Sequence, residues 1–279
     1  MQPNKTSLRR KKTFVFEFTE ERTESDALDL VYHLTPWDEP AVAGATAAIS
    51  HIELKAEADA VDAFFQFRDW CAVHEVKLVS CRLPHHRLRE TGFLEAQGFR
   101  FIELNYRPWV PDLGRFSADE EIEVCTAAPS DEEEICALAA RALWTGRLHA
   151  DPMVGPEIGA RRYALWAANA FRHPGQQVLK CMLRGQMAAF MVVERPTDSS
   201  RFWSLVGVAP ELTGKGLGRR IWRSVLAMHH QEGVEEVKTS ISSHNSIAHN
   251  LYVSLGFRFP LPDVTLHWCP SGPLRSGTA

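Results

Sequence analysis

The stretch that most constrains the fold runs from Val206 to Arg219. It reads as an apolar strand that ends at a proline, a loop with glycine at alternate positions (Gly214, Gly216 and Gly218), and the first turn of a helix. Glycine allows a positive φ and a close backbone approach to a ligand, and a helix start offers unpaired N–H groups with a partial positive charge. The pattern predicts a cradle for phosphate oxygens, although an ordinary strand-to-helix turn also carries glycines.

Two neighbouring features favour the ligand-binding interpretation. Leu217, Ile221 and Val225 recur four residues apart, which predicts a helix with one core-facing side. A strand candidate over 234–242 follows, and a second motif comes directly after it. That motif consists of Asn245, Ala248, Leu251, Tyr252, Gly256 and Phe257.

Together the two motifs resemble the GNAT superfamily of acyl-CoA-dependent N-acetyltransferases. The match is to Val-x-Pro-x-x-x-Gly-x-Gly-x-Gly followed by Asn-x-x-Ala-x-x-Leu-Tyr-x-x-x-Gly-Phe, at the separation usual for the family. The chain departs from the family at Thr213, where Gln or Arg is usual. The resemblance implies an α/β fold with a mixed sheet flanked by helices, and acetyl-CoA as the co-substrate.

The resemblance also assigns roles to single residues. Tyr252 stands where the family carries the tyrosine that protonates the departing CoA thiolate; a half-buried core aromatic is the alternative. Asn245 would contact the cofactor or cap a helix. The backbone N–H of Val208 would polarise the thioester carbonyl at a strand bulge. The implied acyl-CoA contacts are Val206, Gly207, Val208, Thr213, Gly214, Lys215, Gly216, Leu217, Gly218, Arg219 and Asn245.

The sequence leaves the general base open. The strand at 201–208 contains no carboxylate. A water chain, Glu194, His149 and His244 are therefore all candidates. His149 is the first choice, because it lies in a segment with binding character and because histidine titrates near neutral pH.

Residues 144–170 mix Arg, His, Asp, Tyr and Trp, which suits pairing with phosphates and stacking on planar rings. A helix face that packs on the sheet explains the aromatic residues equally well. With Leu-Thr-Pro-Trp-Asp at 34–38, the run Arg-Leu-His-x-Asp-Pro looks like the TDP-fucosamine acetyltransferase branch of the superfamily. That likeness implies a nucleotide-linked amino sugar as the acceptor. The candidate acceptor contacts are Arg147, Asp151, Tyr163, Trp166 and Asn169.

The run Gly-Phe-Arg-Phe occurs twice, at 98–101 and again 158 residues later. Each copy follows a predicted strand and helix, so we expect an internal structural repeat. The first half lacks the glycine-rich loop and looks like a degenerate GNAT-like half that cannot bind a cofactor. We expect a disordered basic tail (1–12), a degenerate GNAT-like domain (13–110), a linker (111–120), a catalytic GNAT domain (121–269) and a loose tail (270–279).

Secondary structure in the first half follows from hydrophobic periodicity. Phenylalanine at 14, 16 and 18 alternates with other residues, which predicts a strand, and a helix is predicted over 25–31. We predict a further strand over 47–54 and an amphipathic helix over 58–73.

Composition narrows the remaining function classes. The six cysteines are scattered without a Cys-x-x-Cys pair, which indicates a reducing cytoplasm with neither disulfides nor a zinc site. The twelve histidines show no helical His-x-x-x-His with a third ligand, so we expect no metal. A net charge of -4 does not suggest nucleic-acid binding, and no apolar run approaches the ~20 residues of a membrane span. The expected partner is a small-molecule amine, and a homodimer is compatible with the sequence.

The sequence thus predicts an acetyl-CoA-dependent N-acetyltransferase that acts on a primary amine of a small molecule. Within enzymes, the alternative acceptors are an antibiotic, an amino acid or a protein N-terminus. From another class, the alternative is a non-catalytic acyl-CoA-binding sensor or subunit. The complete glycine loop and Tyr252 argue against that alternative.

Overall fold

A computed structural model describes residues 9–12 and 17–274. Its strands are β1 Arg9–Lys12, β2 Glu17–Glu24, β3 Leu28–Leu34, β4 Thr46–Leu54, β5 Leu78–Pro84, β6 Arg100–Tyr106, β7 Trp109–Pro111, β8 Ile122–Thr126, β9 Gln176–Leu183, β10 Gln186–Thr197, β11 Ser200–Val208, β12 Glu236–Thr239, β13 Ile241–Ser242 and β14 Asp263–Trp268. Its helices are α1 Glu39–Val42, α2 Glu57–Val73, α3 Leu88–Ala96, α4 Glu132–Ala142, α5 Arg147–Ala150, α6 Pro156–Ala170, α7 Leu217–Gln231 and α8 Ser246–Ser254.

The chain forms two compact units. Unit 1 consists of residues 1–104, 147–158 and 261–279, and unit 2 consists of residues 105–146 and 159–260. Each unit therefore collects segments that are distant in sequence. The predicted linker at 111–120 and the domain limits around it stay a prediction.

In unit 1, the strands lie in the order β1-β2-β3-β4-β5-β14-β6. Strands β4 and β5 pair in parallel, whereas β1 with β2, β2 with β3, β3 with β4, and β5 with β14 pair antiparallel. Phe64 and Phe67 of α2 and Phe93 and Leu94 of α3 are buried in one core with the sheet. The strand over 47–54 and the helix over 58–73 are confirmed as β4 and α2.

The predicted helix over 25–31 is wrong, because this segment turns and enters β3. Ser25 makes the turn: its Oγ accepts hydrogen bonds from the N–H groups of Ala27 and Leu28 at 3.2 and 3.0 Å. Such local serine bonds compete with helix formation. Leu28 and Leu30 are then fully buried in the sheet.

The described part of the predicted disordered tail is also different, since Arg9–Lys12 pair with β2 as β1. The register places Arg9 opposite Glu20 and Lys12 opposite Glu17. The rest of that tail, Phe14 and Phe16 of the predicted strand, and residues 275–279 lie outside the described residues, whereas Phe18 lies in β2. In the predicted loose tail, the N–H of Leu274 donates to the carbonyl of Met153 at 2.7 Å.

In unit 2, the strands lie in the order β7-β12-β11-β10-β9-β8. Helices α7 and α8 share one core cluster with this sheet, and α4 and α6 share another. Met191 of β10 belongs to the first cluster, whereas its neighbours Phe190 and Val192 belong to the second. Because successive strand residues point to opposite faces, the helices cover both faces of the sheet. The expected mixed α/β sheet flanked by helices is confirmed.

Each unit is completed by a strand from the other half of the sequence. In unit 1, β14 lies between β5 and β6 and pairs with β5 along six positions. In unit 2, β7 pairs antiparallel with β12 at the sheet edge. Within the described ranges, no helix has the length and apolar character needed to cross a membrane.

Candidate functional site

A fork between two strands of unit 2 forms the centre of the candidate site. Parallel pairing of β11 with β12 ends at Trp203 opposite Thr239, and β11 then continues from Ser204 to Val208 without a strand on that side in the described part of the sheet. The Thr239 hydroxyl donates to the Trp203 carbonyl at 2.8 Å. This hydrogen bond joins the two strands at the point where they separate, which we call the apex.

The open edge of β11 carries the main-chain groups of Val206 and Val208. The N–H of Ala209 donates to the carbonyl of Ala188 on the opposite side, toward β10. Main-chain groups of alternate strand residues point the same way, so Val206 and Val208 direct theirs toward the fork. The predicted bulge is present on β11, but it lies at Ser204 and not at Val208: Leu205 pairs with Val192 while Trp203 pairs with Val193.

Gly207, between these two valines, is required by packing. A Cβ at this position would lie 2.5 Å from the ring of Phe190. Phe190 is fully buried in β10. The predicted contact residue Gly207 therefore allows the backbone of β11 to lie close to β10.

The glycine-rich loop leads from the open edge into α7. Gly214 and Gly216 have φ values of 79° and 74°, the left-handed region that favours glycine, and nothing lies within 4 Å of a Cβ built on either. Gly216 occupies the N-cap of α7 and offers no side chain to its first N–H groups. The first N–H groups of this fifteen-residue helix are thus available to an anion.

The side chains around the loop divide into exposed and buried groups. Thr213, Lys215 and Arg219 are exposed, whereas Leu217 is buried in the core beneath α7. A Cβ built on Gly218 would lie 3.3 Å from Cδ2 of Leu251 on α8. The next cation cannot serve the loop in the same way, because Arg220 binds Asp119 and Glu121 at 2.6–2.7 Å.

Tyr252 lies on α8 with 2% of its surface exposed. Burial raises the pKa of its phenol, and the neighbouring polar side chains of Trp222 and Thr239 act in the opposite direction. Because Thr239 is the last paired residue of β12, the phenol stands at the apex of the fork. The phenol keeps its proton at neutral pH, and its role as the proton donor stays a prediction.

Asn245 caps α8. Its side-chain oxygen accepts a hydrogen bond from the N–H of Ala248 at 2.9 Å. The helix-capping interpretation of Asn245 therefore describes the structure, and its contact with a cofactor stays a prediction.

On α6, three predicted acceptor residues share one helix of unit 2. Tyr163 and Trp166 are half-buried and stack with ring centroids 6.4 Å apart, and Asn169 is exposed. The guanidinium of Arg162 lies 4.8 Å from the Trp166 ring centroid. The Tyr163 hydroxyl occupies the place that a Cβ at Gly146 would need. The result is a partly exposed aromatic surface that carries one cation.

Arg147 and Asp151 belong to unit 1 and face its interior. Arg147 donates to Asp38 at 2.7 Å and to the Nε2 of His267 at 2.9 Å. Asp151 is fully buried, and one of its oxygens binds the His267 Nδ1 at 2.8 Å while the other accepts from Arg100 at 3.2 Å. The structure thus brings these two predicted residues together with each other, and places Tyr163, Trp166 and Asn169 in the other unit.

The buried histidine at this position has an unusual titration. Burial lowers the pKa of His267 to about 4, and Asp151 acts against that shift.

His149, the first choice as general base, is half-buried on α5 in unit 1. Tyr252 lies in unit 2.

One group within the described ranges has the composition of a metal site, although the sequence predicts none. Potential ligand atoms of Asp29, His51 and Glu53 all lie within 4.8 Å of one another. Arg22 already binds both oxygens of Asp29 at 2.6–2.7 Å. The guanidinium therefore competes with a cation for that carboxylate.

Comparison with known families identifies the part of the chain that holds the fork. Residues 143–257 match the model of the Acetyltransferase (GNAT) family. This part of the chain is a GNAT acetyltransferase domain. No curated protein matches the chain.

Solved structures extend the likeness of the GNAT fold to nearly the whole chain. A GCN5-related N-acetyltransferase from Sphaerobacter thermophilus is 14% identical with a TM-score of 0.59, over 91% of this chain and 82% of that one. A tandem GNAT protein from the clavulanic acid biosynthesis pathway is 13% identical with a TM-score of 0.56, over 91% and 83%. A glucosamine N-acetyltransferase region of a fungal multi-domain GH3 β-N-acetylglucosaminidase is 11% identical with a TM-score of 0.60, over 90% and 33%.

A buried polar network behind the apex of the GNAT fork was missed at the sequence level. The indole N–H of Trp203 donates to Nε2 of His229 at 3.1 Å, and His229 Nδ1 lies 3.3 Å from Glu232. Burial lowers the pKa of His229 to about 4, with Glu232 acting against the shift. Neutral His229 therefore fixes the Trp203 ring. The adjacent pair at 229–230 in the sequence looks like solvated histidines, and only tertiary packing distinguishes the buried one.

Proposed function

We propose that the chain transfers an acetyl group from acetyl-CoA to a primary amine of a small molecule. The observation that carries this proposal is the position of the Tyr252 phenol at the apex of an open strand fork. The exposed glycine loop lies at the other end of the same strand edge. The edge of β11 thus offers main-chain partners for an extended acyl-bearing arm. The glycine loop offers N–H groups for an anionic group, and Tyr252 offers a proton.

The residues present suit this co-substrate. The main-chain groups of Val206 and Val208 would pair with the amides of the pantetheine arm as a neighbouring strand would. The N–H groups from Thr213 to Arg219 would bind the pyrophosphate, with Lys215 adding charge. Acetyl-CoA supplies a thioester whose acyl carbon accepts the amine.

Charge and proton movements follow from the groups at the apex. The amine nitrogen forms the new C–N bond while the C–S bond breaks, and Tyr252 gives its proton to the leaving sulfur. Main-chain N–H groups of β11, with Val208 among the candidates, would stabilise the negative charge that develops on the carbonyl oxygen. A base takes one proton from the amine nitrogen. When that proton passes to the phenolate of Tyr252, the phenol is ready for the next turnover.

Glu194 becomes a stronger candidate for the base than its place in the sequence suggests. It lies in unit 2, in register with Phe202, two residues before the bulge at Ser204, and it accepts a hydrogen bond from Gln176 at 2.9 Å. His149 and His244 remain the other side-chain candidates. Substitution of Glu194→Gln should abolish the acidic limb of the pH profile of kcat if Glu194 is the base. The variants His149→Gln and His244→Gln are compared in the same way, and only the variant of the true base loses that limb.

For the acceptor, we propose a nucleotide-linked amino sugar bound by Tyr163, Trp166 and Asn169 on α6. A planar base can stack on the aromatic surface, and Arg162 above Trp166 adds a cation for a phosphate. One structural relative is a glucosamine N-acetyltransferase region. Arg147 and Asp151 would act by holding the 147–158 segment in unit 1. An antibiotic, an amino acid or a protein N-terminus is the alternative acceptor.

Thiol release from acetyl-CoA tests the proposal with a panel of amines that includes TDP- and UDP-linked amino sugars. We expect turnover with a nucleotide-linked amino sugar, and a loss of roughly 10²- to 10⁴-fold in kcat for Tyr252→Phe with acetyl-CoA affinity retained. Acetyl-CoA binding without turnover on any amine would favour a sensor or subunit. Absence of acetyl-CoA binding would refute the proposal.

A further inference from the structure

Unit 1 contains a second fork with the same construction as the fork of unit 2. Parallel pairing of β4 with β5 ends at Ile49 opposite Cys81, and β4 continues to Leu54. A bulge lies at Ser50, because Ile49 pairs with Tyr32 while His51 pairs with Val31. In both units the bulge therefore follows directly on the last residue that pairs across the fork.

Ile52 and Leu54 take the places of Val206 and Val208 in this fork. They lie two and four residues after the bulge, as the two valines do in β11. The N–H of Lys55 donates to the carbonyl of Ala27 on the β3 side. Main-chain groups of Ile52 and Leu54 consequently point toward the fork.

These main-chain groups already have partners from α3. The Arg87 guanidinium donates to the Ile52 carbonyl at 2.9 Å. The Glu90 carboxylate accepts the N–H of Leu54 at 3.4 Å and binds the same Arg87 nitrogen at 3.0 Å. One donor and one acceptor thus bind the strand edge where an incoming amide chain would have to bind it.

The corresponding residues of unit 2 leave the edge of β11 accessible. The spacing of 158 residues between Gly98 and Gly256 also relates Arg87 to Asn245 and Glu90 to Ala248. In unit 2, Asn245 caps its own helix, and Ala248 has only a methyl group. The same spacing places Leu94, which is fully buried, where unit 2 has Tyr252.

We propose that the Arg87–Glu90 pair permanently occupies the acyl-arm cleft of unit 1, so that each chain binds one acyl-CoA molecule, in unit 2. The statement about unit 2 rests on the proposed function, whereas the role of the pair in unit 1 does not. The segment before α2 agrees with this assignment: only Lys55 and Ala56 separate β4 from α2, where unit 2 has the glycine loop.

The energetics favour a closed cleft. Glu90 is 7% exposed, and although burial acts to raise its pKa, the bonds from Arg87 and from main-chain N–H groups outweigh that effect and hold the pKa below its usual range. The carboxylate therefore stays charged and paired at neutral pH. A buried charge that lost this partner would be strongly unfavourable, so a ligand cannot easily displace one member of the pair.

The decisive experiment moves the pair into unit 2. The variant Asn245→Arg/Ala248→Glu should bind acetyl-CoA at least about 100-fold more weakly by calorimetry, because its side chains would take the main-chain partners of the arm. The matched control is Asn250→Arg/Val253→Glu, which adds the same charges at the same spacing on exposed positions of α8. The wild type and the control should bind one acetyl-CoA per chain. Unchanged binding by the transplanted pair, or two molecules per wild-type chain, would overturn the proposal.

Amide hydrogen exchange tests the pair in unit 1 without any ligand. In Arg87→Asn/Glu90→Ala, the N–H of Leu54 should exchange at least about tenfold faster, since it loses its acceptor. The control Arg89→Asn/Glu95→Ala changes two exposed residues of the same helix and should leave Leu54 protected. Equal protection of Leu54 in both variants would refute the role of the pair. If no form of the chain binds acetyl-CoA, the proposed function fails, and this exchange experiment still decides the role of Arg87 and Glu90.

Discussion

At the scale of single residues, the candidate site depends on side chains whose importance is visible only in three dimensions. Tyr252 can be found from its motif, whereas the partners that fix the apex, Thr239 and Trp203, carry no sequence signal. His229 differs from its neighbour His230 only in burial, which depends on the packing of α7 against β11. The spacing of a motif predicts which residue types a family uses for its chemistry. Tertiary packing determines which of those side chains are buried, neutral or paired.

Two buried histidines with lowered pKa values, His229 and His267, should make the protein sensitive to mild acid. Folding lowers the pKa of His229 and His267 from 6.5 to about 4, so the unfolded chain takes up protons first as the pH falls. Their contribution to stability is complete above pH 6.5 and is lost progressively toward pH 4, by an amount of the order of 3 kcal/mol for each histidine. Urea unfolding between pH 7 and pH 4 measures this loss.

A pair of variants separates this effect from general acid sensitivity. His229→Gln can still accept from Trp203 and donate to Glu232, and it should flatten the pH dependence of the unfolding free energy. His230→Gln at the adjacent exposed position should leave that dependence unchanged. Equal slopes for the two variants would show that His229 is not responsible.

Gly207 provides a packing test. Substitution of Gly207→Ala places a methyl group against the buried Phe190 ring and should lower the free energy of unfolding by about 1–3 kcal/mol. Gly92→Ala in α3 is the control, because nothing lies within 4 Å of its Cβ position and alanine favours a helix. Chemical denaturation of both variants should shift the midpoint in opposite directions.

At the scale of elements, the strong periodic signals predicted the structure well, and local turn chemistry was the weak point. The helix over 58–73 and the strand over 47–54 are present as α2 and β4, because their apolar positions recur with a clear period. The segment 25–31 was assigned to a helix, and the Ser25 turn with its buried strand overrides that preference. The bulge at Ser204 has no counterpart in composition, since a bulge arises from pairing between strands.

Two glycines at opposite ends of α7 separate the effect of backbone strain from the effect on anion binding by the loop. Gly216 and Gly233 have φ values of 74° and 81°, with nothing within 4 Å of either Cβ position. Alanine at either site should cost about 1–2 kcal/mol of stability. Only Gly216→Ala should also raise the KM for acetyl-CoA, by roughly tenfold, because it displaces the N–H groups at the start of α7. An equal change of KM in Gly233→Ala would argue against the loop as the anion site.

At the scale of the whole molecule, the repeat could be read from the sequence but the exchange of strands could not. The run Gly-Phe-Arg-Phe marks equivalent positions in the two halves. The sequence of β14 does not predict that it pairs with β5, because any apolar strand of suitable length could pair at the same place in the sheet. The side-chain contacts of Arg147 and Asp151 were also not predictable. The sequence suggests acceptor ligands, whereas in the fold both side chains bind His267 in unit 1.

The strand exchange predicts that the segment with the family motifs does not fold alone. A chain of residues 121–269 lacks β7 and the strands that flank β14. We expect it to unfold without a cooperative transition, or at a much lower temperature than the full chain, by circular dichroism. Cooperative unfolding of residues 121–269 near the transition temperature of the full chain would contradict this expectation.

The position of β14 also bears on how the protein is made. The first hundred residues emerge from the ribosome long before residues 263–268, yet their sheet has β5 and β6 separated by the strand that arrives last. Until then, two hydrogen-bonding edges in the middle of the future sheet have no native partner. We therefore expect the sheet of the first half to stay incomplete until β14 has been synthesised, and we expect the nascent chain to be prone to misassembly during that interval.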